Sequence, residues 1–177
     1  MSEFILERKV TMLEQFIGAT FPIAELTEAQ MIGAKDLALK IYKRQSARSL
    51  SQVTYHTVEG YKAQFGFIAF LRKNGIIVCE PGADDWWWDF ALKDNGRVVY
   101  FDHKACLGGS SYSRTPNEVE YLKKHPELEV FYACSNLRLK PGFGIYKGVI
   151  SSKSQGWKDN RDGNGSKYIF ENELKLG

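Results

Sequence analysis

The chain has 177 residues, 44% of them hydrophobic and 25% charged. That is enough apolar material for one substantial core and excludes a wholly disordered chain. A net charge of +3 excludes attraction to nucleic acid through the surface as a whole, so any such contact has to come from local basic patches.

In chain order, residues 2–18 carry a mixed apolar pattern that predicts a helix ending at Gly18, ahead of Phe21-Pro22. Thr27-Glu-Ala-Gln30 then has the form of a capping box, and Ala34, Leu37, Ala38, Ile41 and Tyr42 continue an apolar stripe. This helix runs into Lys43, Arg44 and Arg48. These cations suit phosphate contacts, and equally the negative end of a helix dipole.

Thr57 to Gly75 predicts a second long helix ended by glycine, followed by the short strand Ile76–Cys79. With successive residues turned by about 100°, Tyr61, Phe65, Ile68 and Leu71 make one broad apolar side. Gln64 falls among them and is expected to aim at the sheet, while Glu59 lies away, near Lys62 and Lys73. Gln64 reads as a core amide bonded to backbone or as an amide that orients water or phosphate. Glu59 reads as a solvated residue favourable to the helix dipole or as a ligand acid.

The most informative stretch comes next. Trp86-Trp-Trp-Asp-Phe-Ala-Leu and Arg97-Val-Val-Tyr-Phe-Asp-His-Lys104 flank Asn95-Gly96, the strongest short-range hairpin signal because both residues tolerate a type I′ turn. With a two-residue loop, Asp94 faces Arg97 and cross-strand partners sum to 94 + 97 = 191. A four-residue loop keeps this pairing, and a bulged three-residue loop shifts it by one. Asp89 and Asp102 also sum to 191, so the register sets two carboxylates side by side, with Cβ atoms about 5 Å apart. Strand alternation adds Lys104 to their face and turns His103 to the other. Paired carboxylates in an apolar strand pair suit a hard divalent cation; at an exposed strand end, the same residues would make a plain surface salt bridge.

An aspartate followed by apolar residues, then a hairpin, then an acid-X-lysine triplet resembles the PD-(D/E)XK nuclease superfamily, here as Asp89 and Asp102-His103-Lys104. The helix and short strand ahead of the hairpin fit that order, and the resemblance spans roughly residues 55–135. No proline directly precedes Asp89. The resemblance implies a restriction endonuclease-like core and a magnesium-dependent endodeoxyribonuclease, with Mn²⁺ as a possible substitute. Asp89, Asp102 and the carbonyl of His103 would hold the metal, and Lys104 would orient or deprotonate the attacking water. The helix glutamate of many members falls at Gln64, an amide here, or at Glu59. The implied substrate is duplex or branched DNA, cut in restriction, homing or junction resolution, by a homodimer or higher homo-oligomer. The alternative is a catalytically inactive nucleic-acid-binding module on the same fold, for which the amide at Gln64 speaks. An RNA-directed nuclease is a third reading.

After the hairpin, Ala105 to Thr115 reads as a small, polar, glycine-bearing mobile loop with Arg114 its sole cation. Thr115-Pro116-Asn-Glu118 opens a helix reaching about Lys124, where His125-Pro126 stops it. Glu127–Cys134 is the expected buried strand, then Phe143–Ile150 another, a long loop over 151–167, and the short strand Tyr168–Phe170. In that loop Trp157, flanked by Lys153, Lys158 and Arg161, either stacks on a base while the cations hold phosphates or pins the loop to the body.

The expected fold is α/β, a single domain over residues 1–177 with a central mixed β-sheet flanked by helices. Its parts are an N-terminal helical portion (1–50), the core (55–135) and C-terminal strands with a loop (136–177). Cys79, Cys106 and Cys134 are an odd set without C-x-x-C spacing, which argues against a disulfide framework and a structural zinc site. His56, His103 and His125 share no ligand spacing. No stretch approaches membrane-spanning length and no signal-peptide pattern opens the chain, so the expectation is an intracellular, cytoplasmic protein (the host cytoplasm if virus-encoded) without a membrane partner.

Overall fold

The computed structural model describes residues 13–44, 48–82, 85–94, 96–161, 163 and 165–174. Most of the predicted N-terminal helix and part of the basic run after Arg44 lie outside them. Helix α1 (Glu28–Arg44) starts on the expected box: Thr27 N donates to Gln30 Oε1 at 2.9 Å and Gln30 N to Thr27 Oγ1 at 3.2 Å. It packs along α2 (Leu50–Lys73), burying Ala34 and Ala38 and leaving Leu37 and Tyr42 partly in solvent. Helix α2 begins earlier than the predicted Thr57 because Ser49 and Gln52 form a second capping box, a stop-and-start signal that overrides the β-branched residues after it.

The strands are β1 (Thr20–Pro22), β2 (Val78–Cys79), β3 (Phe90–Asp94), β4 (Arg97–Cys106), β5 (Ser111–Arg114), β6 (Val130–Asn136), β7 (Phe143–Ser151), β8 (Lys158–Asp159) and β9 (Lys167–Phe170), with helix α3 (Pro116–Lys124) between β5 and β6. Six form a sheet in the order β1-β7-β6-β4-β3-β2, and β5-β9-β8 form a second, smaller one. Among the described strands only β4 and β6 pair in parallel. A parallel pair needs a crossover, supplied here by the segment carrying β5 and α3. The architecture is therefore α/β with a mixed sheet, as expected.

Strand alternation divides the core in two. Val99 and Phe101 of β4 and Phe131 and Ala133 of β6 lie under α2, against Phe67, Ile68 and Leu71. Val130, Tyr132 and Cys134 of β6 and Cys106 of β4 point to the opposite face, where Tyr112, Trp157 and Ile169 cover them. Each buried aromatic or aliphatic side chain there is worth about 1.5–3 kcal/mol of transfer free energy. Strand β1 was not anticipated. Phe21 pairs with Gly144 and is fully buried; a Cβ on Gly144 would sit 2.3 Å from its ring, so glycine at that position is what admits the ring.

The tryptophan run differs from its sequence reading. The strand begins at Phe90, Trp86 and Trp87 form a turn, and Trp86 is 56% exposed. Trp87 and Trp88 pack on Tyr100, with ring centroids 4.8 and 5.0 Å away.

Candidate active site

The hairpin register is the one the turn chemistry dictates: Phe90 faces Phe101, Leu92 faces Val99 and Asp94 faces Arg97, all summing to 191. At Asp89 the ladder changes character. Its N–H donates to Phe101 O at 2.8 Å, and its Oδ2 accepts from His103 N at 2.8 Å. A carboxylate thus replaces the next backbone carbonyl of the ladder, satisfies an amide that the strand would leave open, and lies beside Asp102.

Asp102 is 7% exposed. Burial and then the charge of Asp89, with which its carboxyl shares a hydrogen bond, push its pKa up to about 8 against the pull of Lys104. Lys104 Nζ lies 3.0 Å from Asp102 Oδ2 and 2.8 Å from Glu118 Oε1. Burial disfavours that ammonium, but the two carboxylates hold its pKa well above the usual lysine value. The Tyr132 ring lies beneath it, 5.5 Å from Nζ to the centroid.

Glu118 is the site residue that sequence reasoning passed over. As the N3 residue of α3 it accepts from Thr115 N at 2.9 Å through Oε2, leaving Oε1 for Lys104. Burial first, then the Asp102 charge, raise it to about 7 despite Lys104. The Thr115-x-x-Glu118 pattern was visible as a helix start; that the same carboxylate reaches β4 was not.

His103 points into the other core layer, between Phe21 and Phe67, with Nε2 2.9 Å from Ser135 Oγ. Burial and then Lys104 depress its pKa to about 3, so the ring is neutral at physiological pH. Its backbone repeats that of Phe101 two residues earlier, whose carbonyl accepts from Asp89 N; by strand periodicity the His103 carbonyl faces the same edge.

Neither helix candidate is bonded to this cluster. Glu59 pairs with Lys62 at 3.4 Å. Gln64 is half-buried; among the described residues no hydrogen bond or ion pair joins either to Asp89, Asp102 or Lys104. The helix is rolled so that Ala63, Phe67 and Leu71 are fully buried, and the half-buried Gln64 lies between Leu71 and Ile68 around the helix. The α2 residue that senses the acids is Tyr61, whose hydroxyl pKa is raised by burial and then by Asp89.

The basic candidates are scattered. Lys43 and Arg44 are exposed at the end of α1, and Arg48 bonds His56 at 3.0 Å. Lys153 and Arg161 are exposed, while Lys158 is engaged by Glu173. Trp157 is not a stacking platform: it is 8% exposed, donates from Nε1 to Ser151 O at 2.9 Å and packs edge-on to Tyr132. It pins the loop, because an indole buried on this scale has no free face for a base. Arg114 likewise is no mobile-loop cation. It lies in β5, 4% exposed, with Nε donating to Tyr132 OH at 3.1 Å and Nη1 to Ser152 O at 3.2 Å.

Asp89, Asp102 and the edge carrying the His103 carbonyl fit a magnesium ion, which takes one or two carboxylates and keeps several waters. A cation there would neutralise the carboxyl pair that burial disfavours. No group of three or more His, Cys, Asp or Glu side chains placed to hold a metal occurs among the described residues. The fit is therefore to a hydrated ion sharing oxygens with a substrate, and not to an all-protein cage. No described helix is long and apolar enough to cross a membrane. No protein-family model matches the chain, and no curated protein matches it.

Proposed function

We propose that the chain is a magnesium-dependent endonuclease that hydrolyses phosphodiester bonds in duplex or branched DNA, on a restriction endonuclease-like core. The observation that carries this reading is the cluster itself: Asp89 beside Asp102, and Lys104 held between Asp102 and Glu118. The order α2, β2, β3, β4, α3, β6, with an antiparallel β3–β4 hairpin and a parallel β4–β6 pair, supports it, since the resemblance to PD-(D/E)XK nucleases calls for a helix, a strand and the hairpin followed by a helix and a strand.

Bound at Asp89, Asp102 and the His103 carbonyl, Mg²⁺ or Mn²⁺ would polarise the scissile phosphate and acidify a water. Lys104 presents a fixed positive charge where charge develops on phosphoryl oxygens, and its two carboxylate partners fix the ammonium in place. Glu118, with its pKa near 7, is poised to take up and release a proton at neutral pH while Lys104 stays charged. His103 stays neutral and serves through its backbone. A homodimer accounts for cutting two strands, and Ile32, Leu39 and Tyr42, all more than a third exposed on one side of α1, offer it an apolar surface.

The test is cleavage of supercoiled plasmid and of a synthetic four-way junction with Mg²⁺, Mn²⁺ or EDTA, with single-stranded RNA as a further arm. Metal-dependent nicking should fall at least 100-fold in Asp102→Ala, and a mutant cutting at the wild-type rate overturns the assignment. The second reading, an inactive nucleic-acid-binding module, draws on the saturation of Lys104 by Asp102 and Glu118 and on the amide at Gln64. It predicts salt-sensitive DNA binding by both proteins with no cleavage.

A further inference from the structure

Beside α3, a cleft of about 300 Å³ opens against the residues that follow β7 and the first residue of β9. Val119 and Lys123 stand roughly 100–140° around the helix from Glu118 and Leu122 about 40°, so the cleft lies next to the acids, round the same helix. Four cations line it, Arg114, Lys123, Lys153 and Lys167, together with apolar side chains that include Val119 and Leu122; among the described residues no carboxylate lines it, and the exposed Asp159 stands beside it on Lys167.

Arg114 makes this arrangement unusual. It is 4% exposed, yet among the described residues it has no carboxylate partner, although buried charges are ordinarily paired. Of its five N–H donors, one is spent on Tyr132 OH and one on Ser152 O, which leaves three. Its guanidinium lies over the Tyr132 and Trp157 rings, at 5.2 and 5.1 Å. These contacts orient the group but do not neutralise it. Lys167 is bonded to Asp159 at 2.7 Å, whereas Lys123 and Lys153 are exposed and make no ion pair among the described residues.

We propose that this cleft is a phosphate-binding site that receives a nucleotide, the phosphate meeting Arg114, Lys123 and Lys153 and the sugar or base resting on Val119 and Leu122. An oriented guanidinium with unspent donors matches two oxygens of one phosphate, and the lysines add point charge. The site deepens the nuclease reading by giving a substrate strand a second hold round α3, but binding there requires no cleavage at the acids.

The experiment is isothermal titration at low salt, in EDTA, with thymidine 5′-phosphate, thymidine and inorganic phosphate as probes. The proteins are the full chain, the double variant Lys123→Gln/Lys153→Gln, and Arg114→Lys. Thymidine 5′-phosphate should bind at least tenfold more tightly than thymidine or inorganic phosphate, and the double variant, which alters only exposed side chains, should weaken it tenfold or more. Equal binding of thymidine and its phosphate, absence of binding by either, or an unchanged affinity in the double variant overturns the proposal. Inorganic phosphate binding as tightly as the nucleotide overturns its nucleotide part. Because the readout is binding without metal, it stands or falls separately from plasmid cleavage.

Discussion

Replacing Asp102 by asparagine should change how stability depends on pH more than it changes stability at any one mildly acidic pH. The ordinary aspartate value of 3.8 is raised to about 8 in the folded chain. Between those values the unfolded chain has released the proton and the folded chain still holds it, so stability falls as pH rises through the window. At about 1.4 kcal/mol per unit, the whole window is worth on the order of 5–6 kcal/mol, of which roughly 4 kcal/mol is lost between pH 5 and pH 9. Glu118, raised from 4.5 to about 7, acts in the same direction, and so does Lys104 at higher pH, where its stabilising charge is lost. His103, lowered from 6.5 to about 3, acts on the opposite limb: its contribution is present above 6.5 and disappears as pH falls through about 3. Asparagine keeps the shape of the side chain and removes the titration. Urea unfolding in EDTA at pH 5, 7 and 9 should therefore show Asp102→Asn gaining about 3–4 kcal/mol on the wild type from pH 5 to pH 9, or a melting-temperature gap that moves by roughly 10 °C for a chain of this size. Parallel profiles, within about 0.5 kcal/mol across that range, would refute the account of a buried carboxyl held protonated beside Asp89.

Glu118→Gln keeps a side chain that can close the capping box with Thr115 but removes the carboxylate from Lys104. Plasmid nicking at pH 7 should drop roughly 10–100-fold with the melting temperature nearly preserved, and an unaffected rate would remove Glu118 from the site. Gly66→Ala in α2 would place a Cβ 2.4 Å from Pro22 O and 3.0 Å from Ile23 Cα, both backbone atoms. The loss from that clash, about 1–3 kcal/mol net, should outweigh the gain in helix propensity, and a raised melting temperature would contradict it. Native protein treated with a thiol reagent should label quickly at the half-buried Cys79 and at Cys106 and Cys134 only on unfolding, since those two are buried and burial pushes the Cys134 thiol up. Three fast equivalents would argue against the packing of β4 and β6.

The parts of the site legible in the sequence are those set by short-range geometry. Asn95-Gly96 and the alternation around it dictate a register in which Asp89 meets Asp102 and Lys104 shares their face, and the observed pairing from Phe90–Phe101 to Asp94–Arg97 obeys it. Thr27 with Gln30 and Thr115 with Glu118 likewise mark helix starts that the hydrogen bonds bear out, because capping joins residues three apart. Only the tertiary structure decided that Glu118 completes the clamp on Lys104. That contact depends on the crossover through β5 bringing the first turn of α3 back over β4. It also decided the roll of α2, which turns Ala63 and Phe67 inward and leaves Tyr61 and Phe65 half-buried, since a helix with apolar residues around much of its circumference has several faces that could pack. Trp157 and Arg114 carry the composition of surface contacts, yet both are buried against Tyr132 of β6. A residue's exposure is set by which distant segments fold over it, and no local pattern encodes that.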